Sequence, residues 1–98
     1  MSPQLSFNAL ALQELEGAID FYSGESPALA DAFLSEVAGA LSQIREFPGS
    51  CPLISRTVRK KVLRRFPYSV LYFLQSDGIR VVAIAHQKRR PFYWRDRK

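Results

Sequence analysis

The sequence predicts an α+β protein with the element order β-α-α-β-β-β, in which a helical hairpin packs on one face of a mostly antiparallel sheet. Two observations lead to this prediction. In the first half of the chain, apolar residues recur at the three- and four-residue spacing of amphipathic helices. In the second half, short runs rich in β-branched and aromatic residues are separated by turn residues, which is typical of strands. A chain of 98 residues has the size of one domain, so residues 1–98 are predicted to form a single domain.

The chain is predicted to begin with a short strand, QLSF at 4–7, followed by a helix. Asn8 is a suitable N-cap because its side chain can accept a hydrogen bond from the first helical turn. Acidic residues such as Glu14 and Glu16 fall on the side opposite the apolar stripe, and we expect them on the solvated surface. Gly24 predicts the end of the helix, since glycine adopts the left-handed cap conformation without steric cost. The apolar stripe consists of Leu12, Leu15, Ile19 and Tyr22.

A second helix is predicted to start directly after the first. Ser26 can cap it, and Pro27 suits the first helical position, where a missing N–H does no harm. The apolar spacing continues to about Glu46, and Pro48 with Gly49 ends the helix. Because the connection is so short, the two helices are predicted to form an antiparallel hairpin. The apolar residues of the second helix are Ala30, Phe33, Val37, Leu41 and Ile44.

The second half of the chain predicts three strands after a loop at 48–57. The strands are KKVLRRF at 60–66, YSVLYFL at 68–74 and IRVVAIAH at 79–86. The last two flank a turn, Ser76-Asp77-Gly78, and are therefore predicted to pair as a hairpin. Two helices can cover one face of such a sheet. The other face is predicted to be either solvated or the working surface.

Charge divides the chain into two unlike halves. Residues 1–55 contain seven acidic residues and one basic residue, a net charge of −6. Residues 56–98 contain thirteen basic and two acidic residues, a net charge of +11. A field of this sign and density favours a polyanion or an acidic protein as the partner of the second half.

The chain offers one histidine and one cysteine as candidate reactive groups. His86 closes the last predicted strand, in phase with Val82 and Ile84, and is either a backbone-bonded strand-end residue or a general acid or base. A zinc site needs about four ligands, which one histidine and one cysteine do not supply. No glycine-rich phosphate loop or nucleophile elbow is present in the sequence. We therefore expect neither a metal nor a cofactor.

Arginines and aromatic residues concentrate towards the end of the chain. Arg64 and Arg65 lie on the strand predicted at 60–66, so we expect them to point to opposite faces of the sheet, with only one of them on the open side. We expect Phe92 and Trp94 to be packing anchors, whereas Tyr93 is open to a stacking role. The arginines that could bind phosphate or carboxylate are Arg64, Arg65, Arg89, Arg90, Arg95 and Arg97.

Three features predict a cytoplasmic location. The opening segment, MSPQLSFNAL, lacks the basic flank and long apolar run of a secretory signal. No apolar run approaches the roughly 20 residues that span a bilayer. A single cysteine cannot form an intramolecular disulfide, which agrees with a reducing compartment.

The chain resembles the plasmid-stabilisation toxins of the RelE/ParE superfamily. The segments that carry the resemblance are LRRFPYSVLY at 63–72 and IRVVAIAHQKRRPFYWRDR at 79–97, preceded by ALQELEGAIDFY at 11–22 and ALADAFLSEVAGALSQIREFP at 28–48. The resemblance implies the β-α-α-β-β-β fold and a bacterial toxin encoded beside an antitoxin. It also implies that a C-terminal segment of the antitoxin wraps the toxin and masks its working face.

The branch of the superfamily decides the implied activity. Toxins similar to RelE cleave messenger RNA in the ribosome without a metal, whereas those similar to ParE inhibit DNA gyrase. The RelE-like pattern has arginines where this chain has Ser69 and Gln87. The ending HQKRRPFYWRDR is more similar to the ParE-like branch, so inhibition of gyrase by binding is the favoured prediction.

Three hypotheses about function follow. In a gyrase-binding toxin no active site is needed, and the six arginines named above would be the contacts. In a RelE-like ribosome-dependent ribonuclease, cationic residues would hold the phosphate while His86 or Tyr93 handles a proton. In the third hypothesis the fold serves only as an interaction module. The residues expected at the ribonuclease site are Lys60, Arg65, His86, Arg89 and Tyr93.

Overall fold

The computed structural model describes residues 3–98, which form two helices packed on a four-stranded sheet. The element order is the predicted one, β-α-α-β-β-β. The elements are, in chain order, β1 (Gln4–Phe7), α1 (Ala9–Glu25), α2 (Pro27–Glu46), β2 (Val58–Val62), β3 (Tyr68–Leu74) and β4 (Gly78–His86).

The sheet has the strand order β1-β4-β3-β2. The pairs β2–β3 and β3–β4 are antiparallel, while β1 lies parallel to β4. The predicted α+β class with a mostly antiparallel sheet is therefore confirmed. Since β1 is short, it pairs with β4 only as far as Phe7 opposite Val81. Beyond Val81, no strand of the described chain pairs with this edge of β4.

Both helix starts are fixed by the predicted capping residues. The Asn8 side chain accepts a hydrogen bond from the N–H of Leu10, at 2.8 Å. Ser26 ends α1 and begins α2: its N–H donates to the carbonyl of Tyr22, and its hydroxyl accepts from the N–H of Leu29. One residue thus connects the helices, which forces the antiparallel hairpin.

The main core lies between the helical hairpin and one face of the sheet. At one end of this core, an aromatic group packs edge to face, with ring centroids 5.0–5.4 Å apart in the pairs Tyr22–Phe66, Phe33–Phe66 and Phe33–Tyr68. Such edge-to-face pairs add stability beyond the area that they bury. The most deeply buried residues from the helices and sheet are Phe33, Val37, Ile44, Val70, Tyr72, Ile79, Val81 and Ile84.

Three of the four residues of the stripe predicted on α1 pack in the main core, but Leu12 is 44% exposed. Ala11 and Ala18 are also buried. Glu14 follows Ala11 by three residues and precedes Ala18 by four, so it lies on the side of the helix that faces the sheet. The expectation that Glu14 lies on the solvated surface is wrong: its side chain is 16% exposed.

The second face of the sheet is closed at its centre by the end of the chain. Trp94, only 6% exposed, packs there against residues of β2, β3 and β4. The prediction of a face left open by the helices is therefore wrong for this region, since the large indole ring supplies the missing cover. The buried cluster beneath the ring consists of Val58, Leu71, Val82, Ala83 and Ala85.

The strand predicted at 60–66 is shorter and begins earlier, at Val58–Val62. Arg64 and Arg65 are not strand residues, and the alternation expected for them does not apply. Their backbone N–H groups instead donate to the carboxylate of Glu36 on α2, at 2.8–3.2 Å. This carboxylate satisfies two consecutive backbone N–H groups, of which a continued edge strand would have paired only one.

A β-bulge changes the phase of β4. Leu71 pairs with Ala83 while Tyr72 pairs with Val81, which leaves Val82 as the extra residue. Val82 therefore packs on the second face, whereas Ile84 packs in the main core. His86 shares a side with Ile84 but not with Val82, so the predicted phase is only half correct.

Candidate interaction surface

A shallow groove lies where β3 begins and β4 ends. It has a volume of about 260 Å³, and its floor includes Ser69, Leu71 and Ala85. The turn after β4 forms one wall, and Lys60 on β2 stands at the other side. The groove is thus built by strand ends and a turn, which is where folds commonly place functional side chains.

A second groove, of about 370 Å³, adjoins the first along the turn at 64–67. The two grooves share Lys60, Ser69 and Gln87. The N–H of Gln87 donates to the carbonyl of Pro67, at 2.8 Å, and so ties the two turns together. Exposed cationic residues border this joint surface, and we name them the basic rim. The basic rim consists of Lys60, Arg64, Arg65, Arg89 and Arg90.

The structure places most of the predicted ribonuclease residues together. Lys60, His86, Arg89 and Tyr93 line the first groove, whereas Arg65 lines the second. Their grouping in space does not by itself assign a reaction, and their roles remain predictions.

Two of the arginines predicted to contact a target lie away from both grooves. Arg95 is exposed but lines neither groove. The Arg97 side chain is only 11% exposed and binds Glu14 through two hydrogen bonds, of 2.8 and 3.1 Å. Arg97 also donates to the carbonyl of Val82 at 3.0 Å. Arg97 therefore has intramolecular partners, and we leave it out of the basic rim.

Tyr93 is fixed by contacts of both its hydroxyl and its ring. Its hydroxyl donates to Oε2 of Glu14 at 2.8 Å, and the guanidinium carbon of Arg89 lies 3.9 Å from its ring centroid. Burial, followed by the hydrogen bond to Glu14 and the negative charge of Glu14, raises the pKa of Tyr93. The nearby charges of Arg97 and Arg89 act in the opposite direction without overcoming burial. The hydroxyl is therefore protonated at neutral pH and serves as a donor.

His86 hydrogen-bonds the backbone at the end of β4. Its Nδ1 accepts from the N–H of Lys88 at 3.1 Å, which leaves Nε2 to carry the proton of the neutral ring. The imidazole packs edge to face on Tyr68, with ring centroids 5.0 Å apart. These contacts fix the ring against Tyr68 at the end of β4.

The two predicted aromatic anchors have different environments. Trp94 is buried, as predicted. Phe92 is 49% exposed and has a φ of 59°, so the prediction that it is a packing anchor is wrong. The positive φ belongs to the turns that lead the chain across the sheet, and it directs Phe92 outwards beside the first groove.

Comparison with known families identifies the protein class. Residues 5–91 match the family model described as the ParE toxin of type II toxin–antitoxin system, parDE. The chain belongs to this ParE toxin family. The matched range includes both helices, three complete strands, β1 from Leu5 onwards, and the turn residues Arg89 and Arg90. The predicted ParE-like branch is confirmed, and a protein antitoxin is the partner that a type II system provides.

A solved structure shows the same fold. The chain is similar, with a TM-score of 0.74 and 18% identity, to a chain of the "Chromosomal ParDE TA system from P. aeruginosa". The similarity covers 87% of this toxin and 96% of that chain. No curated protein matches the toxin.

Two further properties concern residues 3–98 of the toxin. Neither helix in this range is long and apolar enough to cross a membrane. Histidine, cysteine and acidic side chains in the same range form no group of three that could bind a metal ion.

Glu14 is the site residue that the sequence analysis missed. It contacts Tyr93, Arg97 and the backbone of Ile84, and Arg89 lies 3.9 Å away. Its spacing from buried alanines on α1 was the available signal. Residues three before and four after share a side of a helix, so Glu14 lies on the side of Ala11 and Ala18.

The four tyrosines are predicted to ionise less readily in the folded toxin than in the unfolded chain at alkaline pH. Burial raises the pKa of all four tyrosines above the usual value of 10.0. The contribution of these shifts to the free energy of unfolding is therefore complete below pH 10 and falls as the pH rises above it. In a titration followed at 295 nm, we expect less tyrosinate in the native protein at pH 10 than in the urea-unfolded chain, which is about half ionised there. Equal ionisation of the two states at this pH would contradict the predicted burial effect. The four residues are Tyr22, Tyr68, Tyr72 and Tyr93.

Proposed function

We propose that this toxin inhibits DNA gyrase by binding it, with the basic rim as the contact surface. Family membership supports a ParE-like action. The observation that carries the choice of binding over catalysis is the hydrogen bond from the Tyr93 hydroxyl to Glu14. Cleavage of RNA by its own 2′-hydroxyl needs a base for that hydroxyl and an acid for the leaving oxygen. Tyr93, held as a donor with a raised pKa, is poorly suited to either role.

The residues on the floor of the groove also favour binding. Ser69 and Gln87 stand where the resemblance to RelE-like nucleases implies arginines, and both line the groove. A neutral serine and a neutral amide stabilise the charge that develops on a phosphate during cleavage less than two guanidinium groups would. This groove therefore lacks two of the cationic groups that the nuclease pattern would supply.

The basic rim suits a complementary acidic protein surface. Its five cationic side chains are exposed, and Arg89 keeps 52% of its side-chain surface accessible despite stacking on Tyr93. Exposed charges of one sign accelerate encounter with an oppositely charged partner and help to fix its orientation. We propose that gyrase presents such a surface and that the antitoxin neutralises the toxin by covering the same rim.

A second candidate function is ribonuclease activity. It is favoured by the placement of Lys60, His86 and Arg89 around one groove, with Nε2 of His86 free of the backbone bond that holds Nδ1. If this function is correct, replacing His86 with glutamine should shift the pH–rate profile of message cleavage.

Induced cells distinguish the two functions. We expect pulse labelling to show an early loss of DNA synthesis, with filamentous cells and intact messages. An early loss of protein synthesis with cleaved messages would instead support the ribonuclease and contradict the gyrase proposal.

The contribution of the rim is tested with a double variant, Arg89→Ala with Arg90→Ala. We expect it to inhibit gyrase supercoiling about 10- to 100-fold less strongly, corresponding to a loss of about 1.4–2.8 kcal/mol of binding free energy. The matched control is Arg45→Ala with Arg56→Ala, which removes the same charge from exposed positions that line neither groove. Equal losses in both variants would show that net charge, and not the rim, determines inhibition.

A further inference from the structure

An ion pair takes the place of a strand at the edge of β4. The last backbone hydrogen bond on this edge joins the N–H of Asn8 to the carbonyl of Val81, at 2.8 Å. Farther along, the guanidinium of Arg97 donates to the carbonyl of Val82, and Glu14 accepts from the N–H of Ile84, at 3.0 and 3.1 Å. One side chain therefore supplies a donor and the other an acceptor, as the next residues of β1 would have done.

The two side chains also bind each other in a fork. Nη1 and Nη2 of Arg97 lie 2.8 and 3.1 Å from Oε1 and Oε2 of Glu14. Both side chains are largely buried, so removal of either charge leaves the other poorly solvated. This geometry fixes the last residues of the toxin to α1.

Contacts continue from Glu14 to the basic rim through Tyr93. The Tyr93 hydroxyl donates to Glu14, while the Tyr93 N–H donates to the carbonyl of Arg90 at 3.3 Å. Arg89 stacks on the Tyr93 ring, and its Nη1 lies 3.9 Å from Oε2 of Glu14. The turn that carries both arginines is therefore connected to Glu14 by hydrogen bonding, stacking and charge.

The other half of the rim has a separate support. The turn with Arg64 and Arg65 is held by the carboxylate of Glu36, which accepts both backbone N–H groups. Each helix thus contributes one acidic residue that supports one cationic turn. Because the two supports are distinct, loss of one should disturb one half of the rim more than the other.

We propose that Glu14 is a positioning residue for target binding: it holds Tyr93 and Arg97, and through Tyr93 it sets the arrangement of Arg89 and Arg90. This inference rests on the proposed gyrase-binding function. Glu14 lies behind the rim and acts on the target through the arginines. Removal of Glu14 therefore lowers the contribution of Arg90 to gyrase binding and leaves the contribution of Arg65 unchanged.

A pair of double-mutant cycles tests this arrangement. Glu14→Gln is combined with Arg90→Ala in one cycle and with Arg65→Ala in the other, and inhibition of gyrase supercoiling is measured. We expect Arg90→Ala to weaken inhibition of gyrase about tenfold in the parent toxin. In the Glu14→Gln toxin, the same substitution should weaken inhibition less than about threefold. Arg65→Ala should weaken both by the same factor. A general loss of fold would change the two factors alike, whereas positioning changes only the first.

Equal factors for Arg90→Ala in the parent and the Glu14→Gln toxin would overturn the proposal. If Glu14→Gln does not fold, Tyr93→Phe provides the second variant, since it keeps the ring but removes the hydrogen bond from the Tyr93 hydroxyl to Glu14. The same reduction of the Arg90 factor is expected there.

Amide hydrogen exchange tests the proposal independently of gyrase. In the Glu14→Gln toxin, we expect exchange of the hydrogen-bonded amides of Arg89 and Tyr93 to accelerate at least about fivefold, with residues 63–66 unchanged, because local opening follows the lost contacts. Unchanged exchange of these two amides would overturn the positioning role. If the parent toxin does not inhibit gyrase, the proposed function fails, and hydrogen exchange still decides the role of Glu14.

Discussion

Trp94→Ala is expected to lower the free energy of unfolding by about 3–5 kcal/mol, the range found for removing a large buried aromatic side chain. Trp94 is 6% exposed and closes the second face of the sheet over residues such as Leu71 and Val82. Its removal opens a cavity there and frees the end of the chain from its main apolar contact. Chemical denaturation of both proteins measures the difference in unfolding free energy.

Phe92→Ala is the matched control, because Phe92 is a neighbouring aromatic residue that is 49% exposed. Its loss is expected to cost less than about 1 kcal/mol, as is usual for surface positions. Similar losses for the two variants would contradict the conclusion that Trp94, and not the aromatic run as a whole, fastens the end of the chain.

Arg97→Leu is expected to destabilise the toxin by about 3 kcal/mol at neutral pH, near the lower end of the range for breaking a buried ion pair. The variant keeps much of the aliphatic volume but leaves the Glu14 carboxylate without its guanidinium partner. It also removes the donor to the Val82 carbonyl at the open edge of β4. The lower end of the range applies because both side chains retain some contact with solvent, with 11% and 16% of their surfaces exposed.

Arg95→Leu is the control for this second variant, since Arg95 is exposed and lines neither groove. A change within about 0.5 kcal/mol is expected for it. A comparably small change for Arg97→Leu would show that the Glu14–Arg97 pair contributes little to the fold.

Local signals predicted most of the fold. The helix starts follow from Asn8 and Ser26, whose caps form as expected, and the strand predicted at 68–74 has the observed bounds. The differences come from contacts between distant parts of the chain. Glu36 ends β2 early by binding the N–H groups of the turn at 64–65, and no periodicity near that turn reveals an acceptor on a helix.

The site was predicted less completely than the fold. The resemblance brought Lys60, His86, Arg89 and Tyr93 into one group, and the structure places them in one groove. The resemblance did not indicate Glu14, because the partners of Glu14 are about 70 or more residues away along the chain. Such a role depends on which helix face meets the sheet, and on α1 the buried face also includes Ala11 and Ala18, beyond the predicted stripe.

Stoichiometry distinguishes inhibition by binding from catalysis most directly. The toxin is titrated against a fixed concentration of gyrase that is well above the dissociation constant, and supercoiling of plasmid DNA is measured. Binding through the basic rim predicts that inhibition increases in proportion to added toxin and is complete near one toxin for each binding site on gyrase. Complete inhibition by a small fraction of that amount, or growth arrest with active gyrase and cleaved messages, would contradict it.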